Sequence, residues 1–325
     1  MNKQTSQEWA FLAHPRAILK TPAHRFLWTV FKAKLFQWLT RDSPPLFLRG
    51  ADVISVAPHI LGVHEPQVKA ALDLFADNGF DGFLVDIGAN IGLTSCQSGA
   101  KFHEIHMYEP NPLCAGILRV NAAIALVGCN YEIHEYGLGQ REEKLPLQIP
   151  KNNWGGAYIE SDQNTYSIDT LAKKDGFPKH DPENYLSVEI QVKQAGIVLG
   201  NLFNKLHQTG ATKGTVKIDV EGLELVVLNA IAHNLPKDMS TMVIFENWGT
   251  EFKFADILEA FRGRAIVYSL AKTPAGAKTV IGKLLALLYA GQQQFTLKRW
   301  EPSDEANDVI LCVRETSSVS PSMYG

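Results

Sequence analysis

The sequence lacks any apolar run of the roughly 18–20 residues that a bilayer-spanning helix needs. It also lacks an excess of positive charge. The 31 basic residues are outnumbered by 34 acidic ones, for a net charge of −3, so nothing electrostatic calls for a nucleic-acid partner. Cysteine is scarce: Cys96, Cys114, Cys129 and Cys312 are scattered, with no C-x-x-C and no metal-ligand spacing. That pattern predicts a reducing compartment, the cytoplasm, rather than a disulfide framework. The stretch Met1–Ala10 is mostly polar and carries no leader signature, and no internal repeat is visible. With 46% hydrophobic and 20% charged residues, the composition suits a globular protein with a substantial core. A length of 325 residues fits one large α/β domain with additions, or two small ones.

One stretch organises the rest. Phe83-Leu84-Val85 runs into Asp86, Ile87 follows, and Gly88-Ala89-Asn90-Ile91-Gly92 leads into a helical run from Leu93 to Lys101. This is strand, glycine turn, helix, the corner that lets backbone approach a nucleotide-like ligand. A dinucleotide site would read G-x-G-x-x-G; here the pattern is D-x-G-x-x-x-G. An acid at the strand end would repel a pyrophosphate and would suit a cofactor with a positive end, such as the ammonium and sulfonium of S-adenosylmethionine. A second strand ends at Tyr108-Glu109-Pro110-Asn111-Pro112, placing Glu109 23 residues beyond Asp86. An acid there can accept hydrogen bonds from both ribose hydroxyls, and the prolines stop the strand and open a helix. A third corner, Val216 to Glu224, sets Lys217, Asp219, Glu221 and Glu224 in an otherwise apolar context. Buried carboxylates are costly unless they are paired or do chemistry.

Through VDIGANIG (85–92), YEPNP (108–112), KIDVEGLE (217–224) and VIFE (243–246), in that order, the sequence resembles the FkbM-type S-adenosylmethionine-dependent methyltransferase family over residues 64–270. The resemblance implies a Rossmann-like class I methyltransferase fold: a seven-stranded, mostly parallel sheet with helices on both faces. It implies O-methylation, often of sugars in polysaccharides or glycosylated natural products. It implies cofactor contacts at Asp86, Gly88, Ala89, Asn90, Gly92, Glu109, Pro110 and Asn111, and Glu65-Pro66 matches an acid-proline pair of the family. The adenine ring is expected near Glu135 and Tyr136, where the third strand ends; His134 reads as structural.

In chain order, 1–63 is expected as a helical N-terminal extension, 64–315 as the methyltransferase domain with an insertion at about 160–210, and 316–325 as a flexible tail. Residues 24–41 show Phe26, Leu27, Val30, Leu35, Trp38 and Leu39 at helical spacing among Arg25, Lys32, Lys34 and Arg41. Docking on the main domain or on a second subunit is the favoured reading, and peripheral contact with an anionic membrane is the alternative. Residues 46–63 read as a short strand or loop around 52–56, and 65–78 as a helix. Two further helices are expected at 254–262 and 280–290, and a last strand at 308–314. Asn152 to Tyr158 is a glycine-rich loop with Trp154, read either as a sugar contact or as a surface turn.

Methyl transfer to a hydroxyl needs the acceptor oxygen aligned and its proton removed. Two designs fit the strand ends. Asp219 or Glu221 acts as base, with Glu246 nearby; or Asp219, Glu246 and Asn247 hold an Mg²⁺-like ion, as in catechol-type methyltransferases. Lys217 reads as a carboxylate partner. The acceptor is expected to be a small molecule or saccharide of a surface polysaccharide or glycolipid, and an oligomer fits. A dehydrogenase is disfavoured by the glycine spacing, and a nucleic-acid methyltransferase by the absence of a basic face. A non-catalytic S-adenosylmethionine-binding or scaffold protein of the same fold stays as the alternative.

Overall fold

The structure is a computed structural model and describes residues 22–41, 43–50, 52–246, 258–274, 293–300 and 308–316. Its centre is a parallel run of β1 (Leu84–Ile87), β2 (Glu104–Tyr108), β3 (Asn130–His134), β8 (Lys213–Ile218) and β9 (Ser240–Glu246). The antiparallel strands β12 (Asp308–Val313), β10 (Ala265–Pro274) and β11 (Gln293–Arg299) extend one edge, giving the order β11-β10-β12-β9-β8-β1-β2-β3. Eight strands stand where seven were expected. The added one is β11, which hydrogen-bonds to β10 at the sheet edge; its only apolar residues, Phe295 and Leu297, alternate over too short a run to stand out from the polar sequence around them. The order reverses between β1 and β8, and a crevice opens at the carboxyl ends of strands where order reverses.

Alternation along β1 explains why both faces are covered. Leu84 packs with Val68, Leu72 and Phe75 of α3 (Pro66–Asp77) and with Leu118 and Ala122 of α5 (Pro112–Ala125). Val85 and Ile87 pack on the other face with Leu199 and Phe203 of α7 (Ala195–Gln208) and with Val227 and Ile231 of α8 (Glu224–Asn234). Buried on both sides, these strands read as apolar runs rather than as alternating ones.

A second sheet lies within residues 137–194. Its strands β4 (Gly137–Gly139), β5 (Glu143–Pro150), β6 (Tyr158–Ile159) and β7 (Tyr185–Gln194) pair in the order β4-β7-β5-β6. Leu147, Ile149, Ile159, Ile190 and Val192 pack on Val220, Leu223 and Val226, so this sheet caps the corner after β8. The short helix α6 (Ile168–Lys174) follows β6. The segment expected as an insertion, 160–210, therefore contributes α6, β7 and α7.

Residues 53–61 form a helix, α2 (Val53–Leu61), where a strand or loop was expected. Its β-branched VISV start mimics a strand, and Pro58 lies inside it; Gly62 closes it in the left-handed conformation at φ 73°. The N-terminal helix α1 (Pro22–Leu39) is present. Its described apolar side chains are not docked on the main body: Leu27, Phe31 and Trp38 are 65%, 54% and 60% exposed. The helix expected at 280–290 and residues 254–257 of the one expected at 254–262 lie outside the described residues, and 258–260 are helical.

The β1 turn explains its glycine. Gly88 has φ +83°, and a Cβ there would sit 1.8 Å from the carbonyl oxygen of Asp219. Left-handed strain and a backbone clash add, so Gly88→Ala is expected to cost roughly 3 kcal/mol. A urea midpoint equal to that of the wild type would refute this close approach.

Candidate active site

A cleft opens at the carboxyl ends of β1, β2, β8 and β9. Its first wall is the glycine turn. The N–H groups of Gly88 and Ala89 both donate to Tyr108 O at 3.0 Å, which ties the turn to the end of β2. Asn90 then adopts φ 51°, and Glu65 opposite adopts φ 40°. Both are non-glycine residues in the left-handed region and both line the cleft. Such strain persists only where surrounding structure holds it, and it clusters at functional sites.

Glu109 is held from both sides. Its Oε2 accepts from Asn90 N–H and its Oε1 from Asn111 N–H, each at 2.7 Å. Burial pushes its carboxyl up to about 7, against the pull of these two N–H groups and of Lys217. Asn111 is committed to structure: Oδ1 accepts from Leu113 N–H at 3.1 Å to cap α5, and Nδ2 donates to Trp154 O at 3.2 Å. Pro110 and Tyr136 line the same cleft. Glu135 does not; it is exposed and paired with Arg119. His134 stacks on Tyr108 with ring centroids 4.3 Å apart.

Asp86 lies beneath the wall rather than in it. It is fully buried, Oδ2 accepts from Ser95 Oγ at 2.7 Å, and Lys217 Nζ lies 3.4 Å from Oδ1. It therefore faces the Lys217 ammonium, not the cleft where a cofactor's positive end would lie. Gly92 is likewise behind the wall, packed under Leu118.

Lys217 is the hub. It donates to Gly88 O at 3.1 Å and to Asp219 Oδ2 at 3.0 Å. Burial disfavours its charge, but Asp219, Asp86 and Glu65 outweigh that and hold its pKa above the ordinary value. Asp219 is pushed up by burial, yet the Lys217 ammonium dominates and its net shift is downward. Glu221 pairs with Lys174; burial leaves its carboxyl raised despite that ammonium. Asp219, Glu221 and Glu246 all line the cleft.

Three of the lining residues that carry titratable groups escaped the sequence reading: His64, Lys174 and Asp175. Burial, then Lys217, lowers His64 to about 4, with Asp219 opposing, so its imidazole is neutral at pH 7. Asp175 is 6% exposed, accepts from Tyr185 Oη and Asn153 Nδ2 at 3.2 and 3.3 Å, and is pushed up to about 7, mainly by burial. The local signals were weak: His64 directly precedes the Glu65-Pro66 pair, and Lys174-Asp175 opens a Pro- and charge-rich piece. Trp154, expected as a sugar contact or a surface turn, lines the cleft, with Arg49 Cζ 4.0 Å above its ring.

The expected Mg²⁺ site does not fit these residues. Ammonium groups already sit on Asp219 and on Glu221, so a dication placed there would meet fixed cations. Asn247 lies outside the described residues. Among the described residues, those that do come within ligand distance of one another, His106, Glu132 and His134, lie on β2 and β3, and there His106 Nδ1 and His134 Nε2 are 3.2 Å apart, joined as a hydrogen bond.

No family model matches the chain. Two curated proteins are similar to it. Methyltransferase sdnD of Sordaria araneosa is 26% identical over 189 residues, 54% of this chain and 73% of that protein. Methyltransferase 1 of Beauveria bassiana is 26% identical over 153 residues, 46% of this chain and 59% of its own length. Among solved structures, the precorrin-6y C5,15-methyltransferase of Geobacter metallireducens covers 84% of this chain and 96% of its own, at 11% identity and a TM-score of 0.39, a likeness too loose to carry weight. The strand order and the glycine turn between β1 and its helix give a Rossmann-like α/β fold, and the two curated relatives support reading the chain as a methyltransferase enzyme.

Proposed function

We propose that the enzyme methylates a hydroxyl oxygen, that the acceptor is a saccharide of a surface polysaccharide, glycolipid or glycosylated natural product, and that the chain is of the FkbM type. The carrying observation is that Asp175, Asp219, Glu221 and Glu246 line one cleft with the indole of Trp154 and the amide of Asn153. Carboxylates and an amide suit hydroxyl groups, and an aromatic face suits the C–H surface of a sugar. Four acids would repel a phosphodiester, which speaks against a nucleic-acid acceptor. Residues 64–315 serve as the catalytic unit, with 1–63 and 316–325 as additions.

In this reading Glu109 accepts the ribose hydroxyls, Tyr136 and Pro110 border the adenine, and Glu65, Gly88, Ala89 and Asn90 frame the rest of the cofactor. S-adenosylmethionine, when bound, supplies the electrophilic methyl group. The acceptor oxygen must lose one proton as it gains the methyl. Asp219, kept ionised by Lys217, is a weak base with a fixed charge; it orients the acceptor. Asp175, pushed up to about 7 by burial, is better matched to take a proton near neutral pH, and burial raises Glu221 in the same direction. A metal ion has no place in this reading, because the cations of Lys174 and Lys217 already serve these acids.

The test is calorimetric binding of S-adenosylhomocysteine, followed by methyl transfer to a panel of saccharides. Glu221→Gln and Asp175→Asn should each lower turnover about 100-fold while leaving S-adenosylhomocysteine affinity nearly unchanged. The wild-type rate should rise with pH through about 7, and Asp175→Asn should remove that limb. Absence of S-adenosylhomocysteine binding would sink the reading. So would full turnover in both variants.

A further inference from the structure

We infer that α1 is a docking surface for an anionic lipid bilayer, lying flat on it by an apolar stripe edged with cations. At 3.6 residues per turn, Leu27, Phe31, Leu35 and Trp38 fall on one line, with Trp28 and Leu39 beside them, within about a third of the helix circumference. All six are exposed, by 41% to 65%. Phe36 lies off this stripe, on the side of the helix towards His59, with ring centroids 6.2 Å apart. An exposed apolar surface of this size marks an interaction site.

The charges say what covers it. The segment 22–41 contains no acidic residue. Lys32 borders one edge of the stripe; Lys34 and Arg41 border the other. Each tryptophan carries a cation: Lys32 Nζ lies 5.3 Å from the Trp28 ring and Arg41 Cζ 5.9 Å from the Trp38 ring. Tryptophan with adjacent Lys or Arg matches the bilayer interface, where the ring sits at headgroup depth and the cation reaches lipid phosphate. A second copy of the chain fits less well. A two-fold pairing through the same stripe would set these cations against one another. The 18-residue helix is about 27 Å long, and among the described residues no helix is long and apolar enough to cross a membrane. The contact is therefore one that lies on the surface. It goes beyond the chemistry of the cleft and does not depend on which acceptor the enzyme uses.

The test floats the full chain with vesicles of phosphatidylcholine alone, or mixed with phosphatidylglycerol. The protein should float with the mixed vesicles, and raised salt should release it. The pair Lys32→Glu with Lys34→Glu, and separately Trp28→Ser with Trp38→Ser, should each weaken this binding at least tenfold. S-adenosylhomocysteine affinity, read in the same preparations, should stay as in the wild type, so failure of the cleft reading shows separately. Three outcomes would overturn the inference: no flotation with either vesicle, equal flotation of wild type and both variants, or a wild-type dimer that the tryptophan variant converts to a monomer without any vesicle binding.

Discussion

Glu109→Ala is expected to weaken S-adenosylhomocysteine binding roughly a thousandfold. In the proposed pose its carboxylate takes two hydrogen bonds from the ribose. Bonds to a charged acceptor contribute about 1.5–3 kcal/mol each, and 1.4 kcal/mol is a factor of ten. The same oxygens already accept from Asn90 and Asn111 N–H, so the substitution also loosens the turn and the start of α5. Glu109→Gln separates the two effects: it fills the space and keeps one acceptor oxygen, and should retain most of the stability while still losing affinity. Burial raises this carboxyl to about 7. A raised acid favours folding below its unfolded value of about 4.5, and that contribution fades as pH rises through about 7. The bound ribose favours the ionised form, so the linkage runs the other way for the ligand: affinity should fall as pH drops from 7 toward 5.5. Calorimetry across that range checks both. An affinity that is flat with pH and unchanged in Glu109→Ala would remove Glu109 from the cofactor site.

Much of the fold was readable because the chemistry sits at strand ends. VDIG, YEP, KIDVEG and VIFE each mark the point where an apolar strand buried on both faces meets the cleft, and the structure puts Glu109, Asp219, Glu221 and Glu246 on its wall. What was not readable depended on pairing between distant segments. β5 finds its partner across residues 185–192 through an antiparallel pairing that no local pattern announces. That pairing is what carries Lys174 and Asp175 to the cleft, so the insertion's contribution to the site could not be seen. Asp86 is the instructive case. At the end of β1 it looks like a ligand contact, yet parallel register sets it opposite Lys217 on β8. The two neutralise each other below the surface. Only the knowledge that β8 neighbours β1 turns an apparent site residue into a foundation.

That foundation predicts the second large effect. Lys217→Met is expected to destabilise the protein by about 3–5 kcal/mol at neutral pH, the usual result of stripping one partner from a buried ion pair. The methionine fits the stem of the lysine, so packing is nearly conserved. What is lost is the ammonium that lies between Asp86 and Asp219 and holds Gly88 O. The pH dependence identifies the cause. In the wild type Asp219 is lowered below its ordinary value, because Lys217 outweighs the effect of burial. A lowered acid stabilises the fold above its unfolded value of about 3.8 and loses that contribution as pH falls through the folded value. Without Lys217, burial is opposed only by the weaker pull of Lys174 and His64, and the sign reverses: Asp219 becomes a raised acid whose ionisation opposes folding. Stability of the variant should then increase as pH drops from 8 toward 5, over a range in which the lowered Asp219 leaves the wild type unchanged. Thermal unfolding of both proteins across that range reads the difference. A variant that tracks the wild type at every pH would mean that the three-way contact among β1, β8 and the glycine turn carries little of the fold. The expected result makes Lys217 the residue on which the shape of the glycine turn, and through it the cleft, depends.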